Sequence, residues 1–306
     1  MKHYADLLLD AIVAHDPGIL PLAPRYRATE NSIPAALGQM RAFTLGEGVN
    51  ARGPLVVDED LGQVVVVANL QLGGAPATFW ARIAVVDGLV AEVELYHVQS
   101  PAEGGYVMLA EEIGREPAPW HAEITDDVRA SRDELVALGR GVFIDAEYEL
   151  ADVAPECWLM EQGGIVWEYT EFSDLAFGDG LQSDRPTAEK QPMLAGLPPF
   201  RPLDPEARLI AFDTAGGYAV TIGLVPGYTM PTVTSVANTS AFVPATMHEI
   251  HGRSILPQWL EGRSVVAEDE VTCVSMQILR YFDGKLQGLQ MFNSLTGAGA
   301  RPVWVS

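Results

Sequence analysis

The feature that most constrains this chain is that it repeats itself, at three different shifts. "LLLDAIVAHDPGILPLAPRYRATENS", from Leu7, matches "LGRGVFIDAEYELADVAPECWLMEQG", from Leu138, at a shift of 131 (138 − 7). That shift lays Ala23-Pro24 on Ala154-Pro155, Asp16 on Glu147 and Glu30 on Glu161. "FWARIAVVDGLVAEVELYH", Phe79 to His97, matches "SMQILRYFDGKLQGLQMFN", Ser275 to Asn293, at 196 (275 − 79). Between them, "PLVVDEDLGQVVVVANL" aligns more weakly with "RLIAFDTAGGYAVTIGL", placing Asp58 on Asp213 at 155 (213 − 58). The shift grows along the chain, so the second copy carries two insertions, at about 163–203 and 229–268. Self-similarity of this kind predicts two copies of one structural unit. They are expected at 1–115 and 132–306, joined by a linker over 116–131 that Pro117, Pro119 and mixed charge mark out.

Each copy reads as helix first and strands after. "YADLLLDAIVAHD" has apolar residues at helical spacing (Leu8, Ala11, Ile12) and breaks at Pro17. "GQVVVVANLQL" and "FWARIAVV" are alternating or β-branched, as strands are. Asp87-Gly88 and Asp283-Gly284 each sit between two such runs and predict tight hairpins, where glycine tolerates the positive φ. Helices followed by consecutive strands predict an α+β fold with helices on one face of an antiparallel sheet. "GEGVNARG" meets neither nucleotide-loop spacing. "LQSDRPTAEKQPMLAGLPPFRPLDPEA" reads as a long Pro-rich loop: a lid, an oligomer arm or a connection.

Charge narrows the partners. The net charge is −22, from 41 acidic and 19 basic residues, which opposes nucleic acid and anionic membranes, since both select a basic surface. With 48% hydrophobic residues a sizeable core is expected. Two cysteines, Cys157 and Cys273, both in apolar contexts, read as buried free thiols rather than a disulfide framework. No signal peptide and no apolar run of transmembrane length are read, and the expected compartment is the cytoplasm.

The segment "AHDPGILPLAPRYRATENS" and the hairpin "WARIAVVDGLVAEVELYH" together resemble SnoaL-like members of the nuclear transport factor 2-like (NTF2-like) superfamily, over about residues 4–100 and more loosely over about 132–296. The resemblance implies two tandem cone-shaped domains, each a curved antiparallel sheet wrapped round N-terminal helices with a pocket inside. Family members include cofactor-free isomerases, polyketide cyclases, dehydratases, epoxide hydrolases and formaldehyde-releasing lyases, beside pure binding proteins, and a fold alone does not choose among these.

The candidate chemistry lies mostly in the first copy. Glu30 falls where the resemblance places a general base, and burial at the mouth of an apolar pocket would raise its pKa toward neutrality. Its alternative is a structural carboxylate that caps or pairs with Arg27, since Glu161 recurs at its place. In "GLVAEVELYH", alternation puts Val93, Leu95 and His97 on one face and Glu92, Glu94 and Tyr96 on the other. The acidic face is expected in water, and His97 inside, as an acid or base or as a satisfied core residue. The partner of His97 in the repeat is Asn293, so the first half is expected to be the active one. Trp80 and Arg82 share one strand face and could stack on and hold a ligand, and Tyr26, Arg27 and Asn31 could add to its grip. "TMHEIHGRS" places His248, Glu249 and His251 together without the H-E-x-x-H spacing, so no metal is expected and His248 reads as pocket rim, subunit contact or surface loop. No nucleophile elbow appears.

These readings lead to a cofactor-independent acid–base enzyme acting on an apolar or aromatic small molecule. Its most specific form is a lyase releasing formaldehyde from a lignin-derived diaryl alcohol. The alternatives are a SnoaL-like isomerase, cyclase or dehydratase, and a non-catalytic module for a hydrophobic ligand. A homo-oligomer is also compatible with the sequence.

Overall fold

A computed structural model of the chain describes residues 1–100, 103, 110–145, 148, 153–161, 164–168, 204, 206–233, 238–245, 264–265, 269–301, 303 and 304. The fold is mixed α+β, built on two sheets. Helix α1 (His3–Val13) buries Leu8, Leu9 and Ile12, the face its spacing predicts. It ends at His15 in the left-handed region (φ 55°), and Asp16 then accepts a hydrogen bond from Gly18 N–H at 2.8 Å across the Pro17 break. There follow β1 (Leu22–Glu30), β2 (Ile33–Pro34), the one-turn helix α2 (Arg41–Leu45), β3 (Gly46–Asp58), β4 (Gln63–Leu72), β5 (Ala75–Val86) and β6 (Leu89–Val98). They form a six-stranded sheet in the order β2-β1-β6-β5-β4-β3, antiparallel except for the parallel pair β1–β6. Asp87 and Gly88 turn the β5–β6 hairpin with φ 51° and 77°.

The expected linker contains the short helix α3 (Ala118–His121). Helix α4 (Arg132–Phe143) starts at a capping box, in which Ser131 accepts from Glu134 N–H and the Glu134 carboxylate accepts from Ser131 N–H. The second sheet comprises β7 (Val153–Glu161), β8 (Gly164–Glu168), β9 (Arg208–Asp213), β10 (Tyr218–Val233), β11 (Asn238–Pro244), β12 (Ser264–Val265), β13 (Asp269–Phe282) and β14 (Lys285–Gly297). Its order is β11-β10-β13-β14-β7-β8, with β9 and β12 also on β10, and β7 runs parallel to β14. A shift of 131 carries the bounds of β1 onto those of β7, and a shift of 196 carries the start of β6 onto that of β14. The Pro-rich loop expected over 181–207 and the His248, Glu249, His251 segment lie outside the described residues, apart from 204, 206 and 207.

Strand alternation sorts the first sheet into two cores. Val64, Val66, Ala68 and Leu70 of β4, Phe79, Ala81 and Ile83 of β5, and Val93 and Leu95 of β6 pack with α1 and Phe43. The opposite parity, Val65 and Val67, Trp80 and Tyr96, packs with Ile210, Val220, Ile222, Met276 and Phe292 of the second sheet. The first sheet is therefore buried on both faces, by its own helix and by the other sheet. Asp58 fastens the two parts: it accepts from Arg132 Nη2 at 2.8 Å and from Phe212 N–H at 2.9 Å. Cys157 and Cys273 are buried free thiols, and burial pushes Cys157 up to about 12. Among the described residues no helix is long and apolar enough to cross a membrane.

Candidate functional site

The polar run "RATENS" leads to a two-residue turn. Glu30 pairs with Ile33 across β1 and β2, and Asn31 and Ser32 between them both take positive φ, 46° and 67°. Two successive left-handed residues suit the right-handed twist of a hairpin, and asparagine tolerates that region at least cost. The turn sends its three polar side chains to β6. Glu30 meets the His97 ring, Asn31 the His97 backbone, and Ser32 the Tyr96 hydroxyl at 2.8 Å.

His97 lies inside, as expected, 3% exposed, on the face that carries Val93 and Leu95. Its Nε2 is 3.3 Å from Glu30 Oε1, at an angle poor for a hydrogen bond, and its Nδ1 has no partner among the described residues. Glu30 is pinned from the other side by α2: Arg41 N–H donates to Oε2 at 2.6 Å and Ala42 N–H to Oε1 at 2.8 Å. Desolvation pushes this carboxyl up, but His97 and the Ala42 and Arg41 amides outweigh it and hold it below its ordinary value. That corrects the expectation of a raised pKa. A carboxylate so stabilised is a weak base, suited to orienting and balancing an imidazole rather than to taking protons itself. A carboxylate beside Nε2 favours the tautomer with hydrogen on Nε2, which leaves the lone pair on Nδ1.

The remaining candidates divide between the two faces. Tyr26 shares the parity of Glu30 and packs, partly buried, against the first core. Asn31 is committed: its Oδ1 accepts from His97 N–H at 3.0 Å and its Nδ2 donates to His97 O at 3.3 Å, so it holds protein backbone rather than ligand. Trp80 and Arg82 do not join His97. Phe79 is the residue opposite His97, so its neighbours along β5 point the other way, toward the second sheet. There Trp80 stacks on Tyr96 with centroids 4.0 Å apart. Arg82, 5% exposed, donates to Glu94 Oε2 at 2.9 Å and Glu92 Oε2 at 2.7 Å. Arg27 is on that side too, paired with Glu92 and lying 4.7 Å from the Trp304 ring. His248 lies outside the described residues.

The expectation that the face of Glu92 and Glu94 meets water also needs correcting at Glu94, whereas Glu92 stays partly exposed. Glu94 is fully buried and accepts from Arg208 Nη2 at 2.7 Å and Nη1 at 3.0 Å as well as from Arg82. Tyr96 donates to Glu94 at 3.3 Å, and burial together with that carboxylate pushes its phenol far up, so it stays protonated. Beside this network lies a small cleft lined by Ser32, Glu94, Tyr96, Arg208 and Trp304, with room for little more than a water molecule. Arg208 and Trp304 were missed by sequence reading because they stand 114 and 275 positions from their partners Glu94 and Thr29. No local pattern links residues so far apart.

No family model matches the chain, and no curated protein matches it. Among solved structures it is similar to a steroid delta-isomerase from Pseudomonas aeruginosa (18% identity, 32% of this chain and 81% of that one, TM-score 0.25). It is also similar to an NTF2-like protein of unknown function from Cytophaga hutchinsonii (7% identity, 32% and 88%, TM-score 0.26). A third is a provisionally assigned SnoaL-like polyketide cyclase from Jannaschia (16% identity, 31% and 83%, TM-score 0.24).

Proposed function

We propose that the chain is a cofactor-independent acid–base enzyme for an apolar small molecule, with His97 as the proton-transferring group and Glu30 as the carboxylate that orients it. We place this site in the first of two cone-shaped units, 1–115 and 132–306, joined by 116–131. The matching strand orders and parallel pairs of the two sheets support that division. In the second unit Asn293 takes the place of His97, which favours the first as the active one.

One observation carries the reading. A buried imidazole keeps Nδ1 without a partner beside a carboxylate that is itself fully positioned. An unsatisfied buried polar atom costs about 1–3 kcal/mol, and a ligand's donor or acidic proton at Nδ1 would offset that cost, as an ordered water would. Leu8, Leu9, Ile12, Phe43 and Phe79 pack in the same core, so a compound admitted to His97 would meet apolar side chains; the cleft between the sheets is lined by neither His97 nor Glu30. The finer reading, a lyase acting on a lignin-derived diaryl alcohol, has no described residue that selects a diaryl alcohol. It enters the test as one substrate class beside isomerisation, cyclisation and dehydration.

The test is a mass-spectrometric screen of those classes with wild type, His97→Gln and Glu30→Gln. Turnover that falls at least 100-fold in His97→Gln and less in Glu30→Gln supports the assignment. Turnover that survives His97→Gln sinks it. The apolar core also favours a second reading, a non-catalytic carrier: compounds from the panel would then bind without being converted, equally in wild type and His97→Gln.

A further inference from the structure

We infer that Asn31 is a positioning residue for the His97 imidazole, acting through the backbone of β6 rather than through a ligand. This inference rests on the acid–base reading of His97 and Glu30. β1 and β6 run parallel as far as the register pair Glu30 and Leu95. One residue later β1 turns away, which would leave the edge of β6 at His97 without a partner strand. Asn31 replaces the missing strand with its own groups. Its N–H donates to Leu95 O at 2.9 Å, its Oδ1 accepts from His97 N–H at 3.0 Å, and its Nδ2 donates to His97 O at 3.3 Å. The side-chain amide thus presents an acceptor and a donor to one residue, as a peptide group of a neighbouring strand would.

Two further features make this positioning rather than packing. The backbone of Asn31 is left-handed, φ 46°, and Ser32 follows at 67°, so the turn is held in a conformation that L residues seldom adopt. The same turn carries Glu30, whose carboxylate faces the His97 ring. Asn31 therefore fixes the histidine backbone from the residue next to the one that faces its ring. The distance between Oε1 and Nε2, and the tautomer it favours, depend on both attachments. A valine, leucine or serine at position 31 could not supply this acceptor and donor pair, and the repeat partner, Gln162, has a longer side chain.

The experiment uses full-length protein labelled with ¹⁵N at its six histidines, with His97 assigned by comparison with His97→Gln. In wild type the two His97 ring nitrogens should resonate well apart, as a fixed Nε2–H tautomer requires. In Asn31→Gly, which keeps the left-handed backbone and loses the amide, they should move together toward the averaged position, while thermal unfolding stays cooperative. Separated resonances that persist in Asn31→Gly overturn the inference while leaving the acid–base reading intact. Averaged resonances already present in wild type overturn both. Should Asn31→Gly not fold, amide hydrogen exchange in wild type decides: His97 N–H must be as protected as Leu95 N–H, and exchange at the rate of an exposed turn amide overturns the inference.

Discussion

Glu94 of β6 and Arg208 of β9 meet across the seam between the two sheets, Oε1 to Nη2 at 2.7 Å, with the carboxylate wholly out of water. Arg82 holds the same carboxylate from within the first sheet. Removing one partner of a buried pair leaves the other's charge uncompensated, which costs about 3–5 kcal/mol. Arg208→Met should therefore destabilise the protein by about 3 kcal/mol, the low end because Arg82 remains. Urea unfolding measures this as a lower midpoint at unchanged slope. A midpoint within experimental error of wild type would show that the pair contributes nothing to the seam.

The acid limb of the stability curve should depend on Glu30. Its carboxyl is held below its ordinary value, and so is that of Glu92, where desolvation is outweighed by Arg27 and Arg82. A carboxyl depressed in the folded state binds its proton more readily in the unfolded chain. Its contribution is then present above the unfolded value and is lost as pH falls through the folded one. Wild type should lose stability as the pH falls below the ordinary glutamate value of 4.5. Glu30→Gln should show a shallower loss over that window, and a curve parallel to wild type would remove Glu30 from the acid response.

How much of this was legible depends on how far apart the interacting residues lie in the chain. Helix α1, the Asp87-Gly88 and Asp283-Gly284 hairpins and the inward face of His97 follow from local spacing, and the structure has them. The three shifts of the repeat reappear in the strand bounds, because aligned residues with the same pattern take the same elements. Alternation gave the parity of Trp80, Arg82 and Glu94 correctly but not the surroundings of their face. An antiparallel sheet commonly leaves one face to water, and here a second sheet covers it. Nothing near Asn31 announces that its amide would replace a strand, since the need arises only where β1 leaves β6.

Trp304 closes the same seam from the C-terminal end. Its ring meets two guanidinium groups, Arg27 at 4.7 Å and Arg82 at 4.8 Å from its centroid, and its Nε1–H donates to Thr29 Oγ1 at 3.1 Å. At 5% exposure it is a core side chain supplied by the last residues of the chain. Trp304→Ala should cost about 3 kcal/mol through the lost burial and cation–π contacts. Trp304→Phe, which restores a ring without the N–H, should cost about 1 kcal/mol. Equal costs for the two variants in urea unfolding would mean that the ring's contacts with the guanidinium groups are without consequence.

The two units proposed here should not be separable without cost. Residues 1–115 expressed alone would expose one face of the first sheet, with Val56, Val65, Val67, Trp80 and Tyr96, all buried in the whole chain. The same cut removes Arg208 from Glu94 and Arg132 from Asp58, leaving acids placed for partners that are no longer there. A large contiguous apolar patch on an isolated domain is driven to associate, because water does not solvate it favourably. Residues 1–115 should accordingly elute as dimers or larger species in size-exclusion chromatography, and the replacement of Trp80 and Val67 by polar residues should shift them toward monomer. Co-expression with residues 116–306 should instead recover a one-to-one complex, since the second sheet supplies the matching face. A monodisperse 1–115 monomer with ordered aromatic side chains in near-ultraviolet circular dichroism would show that the seam is dispensable. It would also make the first unit an independent domain on which the Glu30 and His97 experiments could be repeated.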